Sequence, residues 1–471
     1  MDKPMMEGDD FLSEDVSNDV QRYEKMLRNK TNEYFDTESL EGIIDFYIQT
    51  NKVKKAFDAV NYSLNLYSLH SEFLLQKSEI YILTEQFENA LDALEMVEKI
   101  EPFNSDLHLL KGETYLHLKQ FLDANECFEK ALQHTDERLD MLFEIAYIYE
   151  DSDLYIQAIE YFKIIISEFE DIDQTYYEIG HCYNQLGDYE KAVFFYKKLI
   201  DNDPYSTTAW YNLGIIYYKQ ESFEEALDAY EFCLAIDEDF TSAKFNKANV
   251  LVELERYEEA ISAYKSAIEE DGADGIVYCN LGGCYERMNL NEEARINYKH
   301  ATDLNPNIAE AWFGIGLTYE KENKNKEALT FYHRACILEE DNAEYLLVLG
   351  ETQYRLNQIE SCEETYAKLV ELDATMQEAW LDWSFVKFSK GEIQEALDMI
   401  MEALKINYDC HQYHYRLVCY LYENGQIEEA KKHLEIGLLL CFDDYFLIYE
   451  IAPKLQQATA LTEIIESYRN S

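Results

Sequence analysis

Apolar and polar positions along the chain repeat every 34 residues. Written in rows of 34 from Thr37, the sequence gives twelve rows that end at Asp444 without an insertion or a deletion. The first stretch of a row carries mostly apolar, aromatic or small residues at columns 4, 7, 8 and 11, the i, i+3, i+4, i+7 spacing of a single buried helix face. A short polar turn and a second amphipathic stretch follow. Each row is therefore predicted to form a helical hairpin.

Columns 8 and 20 hold small residues in almost every row. Column 20 is alanine in eleven rows, and Cys362 is the exception. Column 8 is glycine in six rows, although glycine inside a helix costs about 1 kcal/mol relative to alanine. A close approach between the two helices would offset that cost. The small residues therefore predict tightly packed hairpins.

The ends of the helices carry their own signals. Glycine or asparagine in the turns, as at Gly187 and Gly391, can adopt the positive φ of a helix C-cap. Acidic residues open the second helices, as at Glu224, where they complement the helix macrodipole. Column 24 is aromatic in the middle rows and aliphatic at both ends. This difference is expected when inner repeats pack on two neighbours and terminal repeats on one.

This pattern closely resembles the tetratricopeptide repeat, whose signature combines a 34-residue period with a fixed set of large and small positions. The sixth row meets the signature with Trp210, Leu213, Gly214, Tyr217, Ala226 and Tyr230. The resemblance implies an all-α fold, an α-solenoid in which stacked helix-turn-helix repeats form a right-handed superhelix. We therefore expect an acidic, partly disordered N-terminal segment with a possible short helix (1–36), twelve repeats (37–444) and C-terminal capping helices (445–471).

The chain is strongly acidic, with a formal net charge of −54. This charge repels phosphate backbones and anionic lipids, so we expect no nucleic-acid partner. The N-terminus lacks the positive charge and the apolar core of a signal peptide, and no apolar run is long enough to span a bilayer, so we expect no membrane insertion. Ten cysteines without a CxxC pair are typical of reduced thiols and indicate a cytoplasmic location.

Little in the sequence indicates catalysis. No nucleotide-binding glycine motif and no HExxH zinc motif occurs, and the flanks of the repeats are too short to fold into a catalytic domain. The nearest approach to a metal cluster is Cys410, His411 and His414. His414 falls on a core column, however, and no second ligand pair is near in sequence. We therefore predict a non-enzymatic protein with no cofactor and no metal.

In proteins with this repeat, the first helices line a concave groove that holds a partner segment. The resemblance places columns 2, 5, 6, 9, 12 and 13 on that surface, and most of them share one helix stripe. The expected partner-binding residues are Phe143, Tyr177, His181, Tyr211, Asn212, Tyr218, Phe245, Asn246, Asn249, Asn280 and Phe313. The expected acidic groove residues are Glu38, Glu41, Asp45, Glu72, Glu79, Asp106 and Glu113. No lysine or arginine occupies these columns in rows one to four, which favours a basic segment there.

Asn212, Asn246 and Asn280 occupy column 6 of three successive rows. Side-chain amides can both donate to and accept from an extended peptide backbone. This is similar to the asparagine ladder in the repeat domain of the protein O-linked N-acetylglucosamine transferases. The other interpretation is that these are ordinary exposed asparagines and that the aromatic residues help to wall the superhelix. The chain departs from the repeat subtype that clamps chaperone tails, because column 5 never holds lysine.

The sequence thus predicts a non-enzymatic scaffold or adaptor that binds protein partners, through extended and partly basic segments, in the concave groove. The alternative is a regulatory or assembly subunit that contacts a large folded partner through the convex face or the ends. In that alternative the partner can also be a second copy, giving a homo-oligomer. A third class is an enzyme whose site is hidden on the repeats. The architecture by itself does not name the process, because it serves many unrelated ones.

Overall fold

The structure, a computed structural model, describes residues 14–169, 172–271 and 274–469. Every regular element in these ranges is helical, and they contain no strand. The predicted all-α class of helical repeats is therefore confirmed. Disorder is predicted for residues 1 to about 16. Residues 1–13 lie outside the described residues, while residues 14–16 belong to the helix Glu14–Asn29, so the prediction is wrong for them. The chain divides into two compact units, and each is described by itself.

Unit 1 (Met1–Gln220) has twelve helices among its described residues. They are α1 (Glu14–Asn29), α2 (Thr37–Gln49), α3 (Val53–Leu66), α4 (Ser71–Leu83), α5 (Phe87–Ile100), α6 (Ser105–His117), α7 (Phe121–His134), α8 (Arg138–Asp151), α9 (Tyr155–Phe169), α10 (Asp173–Gln185), α11 (Tyr189–Asn202) and α12 (Thr207–Lys219). The leading helix α1 buries Val20, Tyr23 and Met26 in one cluster with the first hairpin. It therefore covers an apolar face that an outermost repeat would otherwise expose to water.

Unit 2 (Glu221–Ser471) has fifteen α-helices and two short 3₁₀ helices among its described residues. The α-helices are α13 (Phe223–Ile236), α14 (Thr241–Glu253), α15 (Tyr257–Asp271), α16 (Gly275–Arg287), α17 (Asn291–Leu304), α18 (Ala309–Lys321), α19 (Asn325–Leu338), α20 (Ala343–Arg355), α21 (Ile359–Leu372), α22 (Gln377–Ser389), α23 (Ile393–Ile406), α24 (His411–Glu423), α25 (Ile427–Leu440), α26 (Leu447–Ile451) and α27 (Thr459–Arg469). The 3₁₀ helices, Asp443–Phe446 and Pro453–Gln457, flank α26. This last segment buries Ile448, Leu455 and Leu461 against the final hairpin.

Column 20 lies at the centre of every hairpin. All twelve of its residues are fully buried: Ala56, Ala90, Ala124, Ala158, Ala192, Ala226, Ala260, Ala294, Ala328, Cys362, Ala396 and Ala430. A methyl group at this position lets the two helices approach closely, since a larger side chain would hold them apart. The nearly invariant column of the sequence is thus completely buried between the helices.

The turn inside each hairpin contains one residue in the left-handed conformation. It stands at column 15 in all twelve rows, with φ between +53° and +80°. Glycine fills that column only at Gly187, Gly391 and Gly425, and asparagine, aspartate, glutamate or lysine fills it elsewhere. Backbone hydrogen bonds close the turn, as where Asp188 N donates to Tyr183 O at 2.9 Å. These bonds offset the positive φ of a residue with a side chain, which costs about 1–2 kcal/mol.

The glycines of column 8 make room for an aromatic ring. A Cβ atom on Gly112 would lie 2.3 Å from Cε1 of Phe128, and one on Gly316 would lie 2.4 Å from Cε1 of Tyr332. Both rings belong to column 24, on the second helix of the same hairpin. The sequence predicted a close approach between two helices. The structure shows that the approach is between the first helix and a ring on the second.

Tyr298 shows why such a ring cannot move aside. A Cβ atom on Gly282, in its own hairpin, would lie 2.7 Å from the ring atom Cδ1. A Cβ atom on Gly314, in the next repeat, would lie 2.3 Å from Cζ. The hydroxyl group donates to Glu286 Oε2 at 2.9 Å. The ring is therefore held between two repeats, and its polar end is anchored.

A second recurring contact joins each repeat to the loop before it. The indole Nε1 of Trp210, at column 4, donates to the carbonyl oxygen of Pro204 at 3.0 Å. At the same column, Nε2 of His108 and of His414 lies 3.0 Å and 3.1 Å from the carbonyl oxygen six residues earlier. Both histidines are buried. They take the structural place of tryptophan, as the core position of His414 in the sequence predicts.

Gly282 and Gly283 provide a matched test of the ring packing, because they are neighbours in α16. Gly282→Ala places a methyl group against the ring of Tyr298, so we expect the free energy of unfolding to fall by about 1–2 kcal/mol. Gly283→Ala meets only the Tyr298 hydroxyl, at 3.7 Å, so we expect a gain of up to about 1 kcal/mol from helix propensity. Denaturant unfolding measures both. Equal effects of the two substitutions would contradict the packing argument.

Candidate functional site

Acidic side chains of the first helices in unit 1 form one continuous surface. We call it the acidic face, and it comprises Glu38, Glu41, Asp45, Glu72, Glu79, Asp106, Glu113, Glu144, Glu150 and Glu178. These residues lie on α2, α4, α6, α8 and α10. Their charges interact from one helix to the next: Glu72 with Glu41 and Asp106, and Glu144 with Asp106. The structure therefore brings together all seven acidic residues that the sequence assigns to the groove.

Several carboxyl groups of the acidic face are partly buried and lie close to each other. Partial burial, followed by the charges of Asp45 and Glu113, raises the pKa of Glu79 to about 7. Burial, followed by the charge of Glu41, raises the pKa of Glu72 to about 7 as well. The pKa of Glu113 also rises to about 7, chiefly through burial. Ionisation of this surface is therefore unfavourable unless positive charge arrives from elsewhere.

Gln76 connects the first two helices of the acidic face. Its Nε2 donates to Asp45 Oδ1 at 2.5 Å and to Glu41 O at 3.1 Å. The residue is only 3% exposed, and its Oε1 has no hydrogen-bond partner among the described residues. A buried acceptor without a donor is costly and uncommon. Because this oxygen is itself buried, Gln76 ties α4 to α2 beneath the acidic face and is out of reach of a bound molecule.

The acidic face continues on α8 and α10 through a hydrogen-bonded group around Tyr147. The Tyr147 hydroxyl donates to Glu178 Oε1 at 3.0 Å and accepts from Gln174 Nε2 at 2.6 Å. His181 Nδ1 lies 2.6 Å from Glu150 Oε1, and this hydrogen bond raises the pKa of His181. Burial, followed by the charge of Glu150, raises the pKa of Glu178 to about 7. His181 is thus a partner of the acidic face.

Sequence reasoning did not name Glu144, Tyr147, Glu150, Gln174 or Glu178 as site residues. All five stand on the groove columns 2, 6, 9 and 12. The same column pattern could have found them. It would have done so if the acidic and the aromatic residues on the groove columns of rows four and five had been treated as one surface. The structure shows one surface where the sequence suggested two.

Phe143, Tyr177 and Phe245, at column 5, are half-buried and lean on the second helix of their own repeat. The Phe143 ring meets Phe162 edge-on at a centroid distance of 6.1 Å, and the Tyr177 ring meets Tyr196 edge-on at 6.0 Å. Phe245 lies 5.9 Å from Tyr264 in unit 2. One face of each ring therefore contributes to packing. Tyr211 and Tyr218 are likewise half-buried, on α12.

Phe313 is not on an accessible surface, and its assignment to the groove is wrong. It is 6% exposed. Its ring stacks on Tyr345 of the next repeat at 4.5 Å and lies 5.2 Å from Tyr332. Because Tyr345 covers it, a bound segment could not reach this ring. The column pattern gave no warning, since it does not show what the next repeat places above a residue.

The asparagines are partly engaged within the protein. Asn212 Nδ2 donates to Thr208 O at 2.8 Å, along its own helix. Asn280 Nδ2 donates to Asn249 Oδ1 at 3.2 Å, and that oxygen also accepts from the Tyr264 hydroxyl at 2.5 Å. Asn246 is half-buried on α14. An asparagine ladder for a peptide backbone stays a prediction, with part of its hydrogen-bonding capacity already in use.

The sequence cluster of Cys410, His411 and His414 does not come together. Cys410 is buried and caps the start of α24. His414 is also buried, with Nδ1 2.9 Å from His433 Nδ1 and Nε2 at the carbonyl oxygen of Tyr408. Burial, opposed by that carbonyl, lowers the pKa of His414.

None of the helices in the described ranges has both the length and the apolar character needed to cross a membrane.

Family models of the tetratricopeptide repeat match six segments, namely 173–206, 207–240, 241–274, 276–308, 309–342 and 343–376. Five of these segments begin at the first residue of a 34-residue row, and the sixth begins one residue later. The repeat register is therefore confirmed for these rows. No curated protein matches the chain.

Several solved structures are similar to this chain. YrrB, a TPR protein with an unusual peptide-binding site, is 25% identical over 40% of this chain and 97% of its own, with a TM-score of 0.36. The APC/C hetero-tetramer Cut9–Hcn1 is 15% identical over 83% of this chain and 91% of the matched one, with a TM-score of 0.39. The C-terminal part of a TPR repeat-containing protein from Cytophaga hutchinsonii is 17% identical over 50% and 97%, with a TM-score of 0.43.

The family matches thus agree with the paired helices and with the register of the sequence. The chain is a tetratricopeptide repeat protein.

Proposed function

We propose that the chain is a non-enzymatic scaffold whose acidic face binds an extended, basic segment of a partner protein. Its repeats support a role in protein–protein interaction in general. One observation carries the finer proposal. Partly buried carboxyl groups from five consecutive first helices lie close enough for their charges to interact, and several have a pKa of about 7.

The acidic face has few cations of its own. The groove columns of rows one to five contain no lysine or arginine, and the histidines there include His181, which is bonded to Glu150. A lysine or arginine side chain from a partner would neutralise carboxylates that now repel each other. The charge of the acidic face therefore favours a ligand that carries lysine or arginine.

The aromatic rings beside the carboxylates suit the same ligand. Phe143, Tyr147 and Tyr177 are half-buried next to Glu144 and Glu178. Lysine and arginine side chains can lay their apolar stems on such rings while the charged ends reach carboxylates. A segment with basic residues at intervals would therefore gain both contacts as it crosses successive first helices.

A second candidate is an assembly subunit that contacts a folded partner or another copy of itself. Leu122 and Ile156 stand at column 18 of successive rows, on α7 and α9, and are 85% and 60% exposed. Exposed large apolar residues at equivalent positions favour a protein contact on the second helices. Light scattering over a concentration series, on wild type and on Leu122→Glu with Ile156→Glu, separates self-association from a monomeric scaffold.

The ten cysteines support a cytoplasmic location. None forms a disulfide, and nine are buried. Unpaired thiols in this number are typical of proteins kept in a reducing compartment. We propose a cytoplasmic location on this ground.

Neutralising the acidic face should weaken the binding of a basic peptide. We expect Glu72→Gln, Glu79→Gln and Glu113→Gln together to lower the affinity for an unstructured lysine-rich peptide by at least about tenfold, since three close charges are lost. The control changes Glu224, Glu225 and Glu258 to Gln, which are exposed at the starts of second helices. At pH 8.5, where carboxyl groups with a pKa of about 7 are also ionised, it removes the same net charge and should change the affinity less than about twofold. Fluorescence anisotropy at two salt concentrations measures both. Equal losses of affinity in the two triple variants would mean that the peptide is held only by non-specific electrostatic attraction.

The same carboxylates should set a distinctive pH dependence of stability. Their pKa is raised from 4.5 to about 7 in the folded protein, so the folded state binds more protons than the unfolded state between these values. The free energy of unfolding should therefore rise as the pH falls from 8 to 6. The triple Gln variant should show a smaller rise and a higher stability at pH 8. Denaturant unfolding at both pH values tests this, and an unchanged slope in the variant would contradict it.

A further inference from the structure

His411, Cys441 and Asp444 meet at the end of the last hairpin. They are far from the acidic face in sequence, and they combine an imidazole, a thiol and a carboxyl group. His411 is the first residue of α24, Cys441 follows the last residue of α25, and Asp444 lies in the 3₁₀ helix Asp443–Phe446. Because α24 and α25 form an antiparallel pair, the start of one lies beside the end of the other. The turn after α25 then brings the aspartate to the same place.

The three side chains converge on a single oxygen atom. His411 Nε2 lies 2.7 Å from Asp444 Oδ2, and Cys441 Sγ donates to the same oxygen at 3.5 Å. One nitrogen, one sulfur and one oxygen atom from the three residues lie within 4.8 Å of each other. The ligand atoms of a tetrahedral zinc site are about 3.3–3.8 Å apart, given metal–ligand bonds of about 2.0–2.3 Å. A shift of less than about 1 Å would give that spacing.

We propose that His411, Cys441 and Asp444 bind a divalent transition-metal ion, with zinc the best match. A thiolate and an imidazole favour zinc over magnesium or calcium, which prefer sites made entirely of oxygen. Binding would release the Cys441 thiol proton to solvent and move the imidazole proton of His411 from Nε2 to Nδ1. The metal would thus replace two hydrogen bonds that now share one carboxylate oxygen.

The surroundings of the three residues fit a site with one open position. The His411 and Asp444 side chains are 27% and 35% exposed, so water could supply a fourth ligand. Among the ten cysteines, nine are buried and Cys441 is not. Its own carbonyl oxygen accepts from the Tyr415 hydroxyl at 2.5 Å, which fixes the backbone that carries the sulfur. Such outer contacts hold ligands in place in metal sites.

His411 also differs from the histidines that have a packing role. His108 and His414 stand at column 4, are buried, and face a loop carbonyl oxygen. His411 stands at column 1, is partly exposed, and faces a carboxylate. The sequence predicted no metal because it compared His411 with its near neighbours. Its structural partners lie 30 and 33 residues further along the chain, so the spacing of a local motif could not show them.

A bound ion would fasten the C-terminal segment to the last hairpin. Asp444 begins the path to α26 and α27, which bury Ile448 and Leu461 against α24 and α25. An ion held by both sides would stabilise this end of unit 2, because metal that binds only the folded state adds its binding free energy to stability. The inference does not depend on the proposed peptide binding.

Titration of the reduced, full-length protein with Co²⁺ tests the site directly. Co²⁺ adopts zinc-like geometry and gives a near-ultraviolet charge-transfer absorption only when a thiolate is bound. We expect this absorption to saturate at one equivalent of Co²⁺ and to disappear when Zn²⁺ is added. Cys441→Ser should abolish it, and His411→Ala or Asp444→Asn should weaken Co²⁺ binding by at least about tenfold.

Two control variants separate this site from other possible ligands. Cys410→Ser removes the neighbouring buried thiol, and Glu178→Gln disrupts the second group of three potential ligands, Glu150, Glu178 and His181, which has no thiol. Both should keep the absorption. Circular dichroism confirms folding, and Zn²⁺ should raise the melting temperature of the wild type and not of Cys441→Ser. No thiolate absorption at stoichiometric Co²⁺, or its persistence in Cys441→Ser, would overturn the proposal.

Discussion

The aromatic ring of column 24, packed into the space left by a small column 8 residue, is the contact on which the rest of the structure depends. In the helix pairs of Gly112 with Phe128 and of Gly316 with Tyr332, a single added carbon atom would overlap the ring. Tyr298 extends the contact to the following repeat through Gly314. A helical hairpin alone cannot bury such a ring on both sides, so the ring makes each repeat depend on its neighbour.

This dependence has consequences for where charge can accumulate. Rings, aliphatic residues and small residues fill most of the core columns 4, 7, 8 and 11 of the first helices. No carboxyl group stands on these columns, so the acidic side chains lie on the remaining ones. On the first helices of unit 1 those columns carry carboxylates in successive repeats, at a spacing that the stacking determines. Partial burial then raises the pKa of Glu72, Glu79 and Glu113 to about 7. The packing that orders the repeats thus also creates an unfavourable surface that a basic partner would relieve.

The last hairpin shows how an end of the array acquires features that the inner repeats lack. Inner repeats are covered by the next hairpin, whereas α24 and α25 are covered by short helices that follow a different path. That path brings Asp444 to His411 and Cys441. A side-chain combination that occurs at one place is a better indication of a separate site than one that repeats in every row, as the acidic residues at the starts of second helices do.

The sequence by itself determined the helical hairpins, their 34-residue register and the burial of column 20, because each depends on local periodicity and on side-chain size. It also identified the seven acidic residues from Glu38 to Glu113 as one surface. Tertiary structure alone decided that Tyr345 covers Phe313, that Glu144, Tyr147, Glu150 and Glu178 join the acidic face, and that His411 meets Cys441 and Asp444. The physical reason is distance along the chain. A column pattern states which way a side chain points within its own repeat, while its accessibility and its partners depend on what the next repeat or the terminal segment places against it.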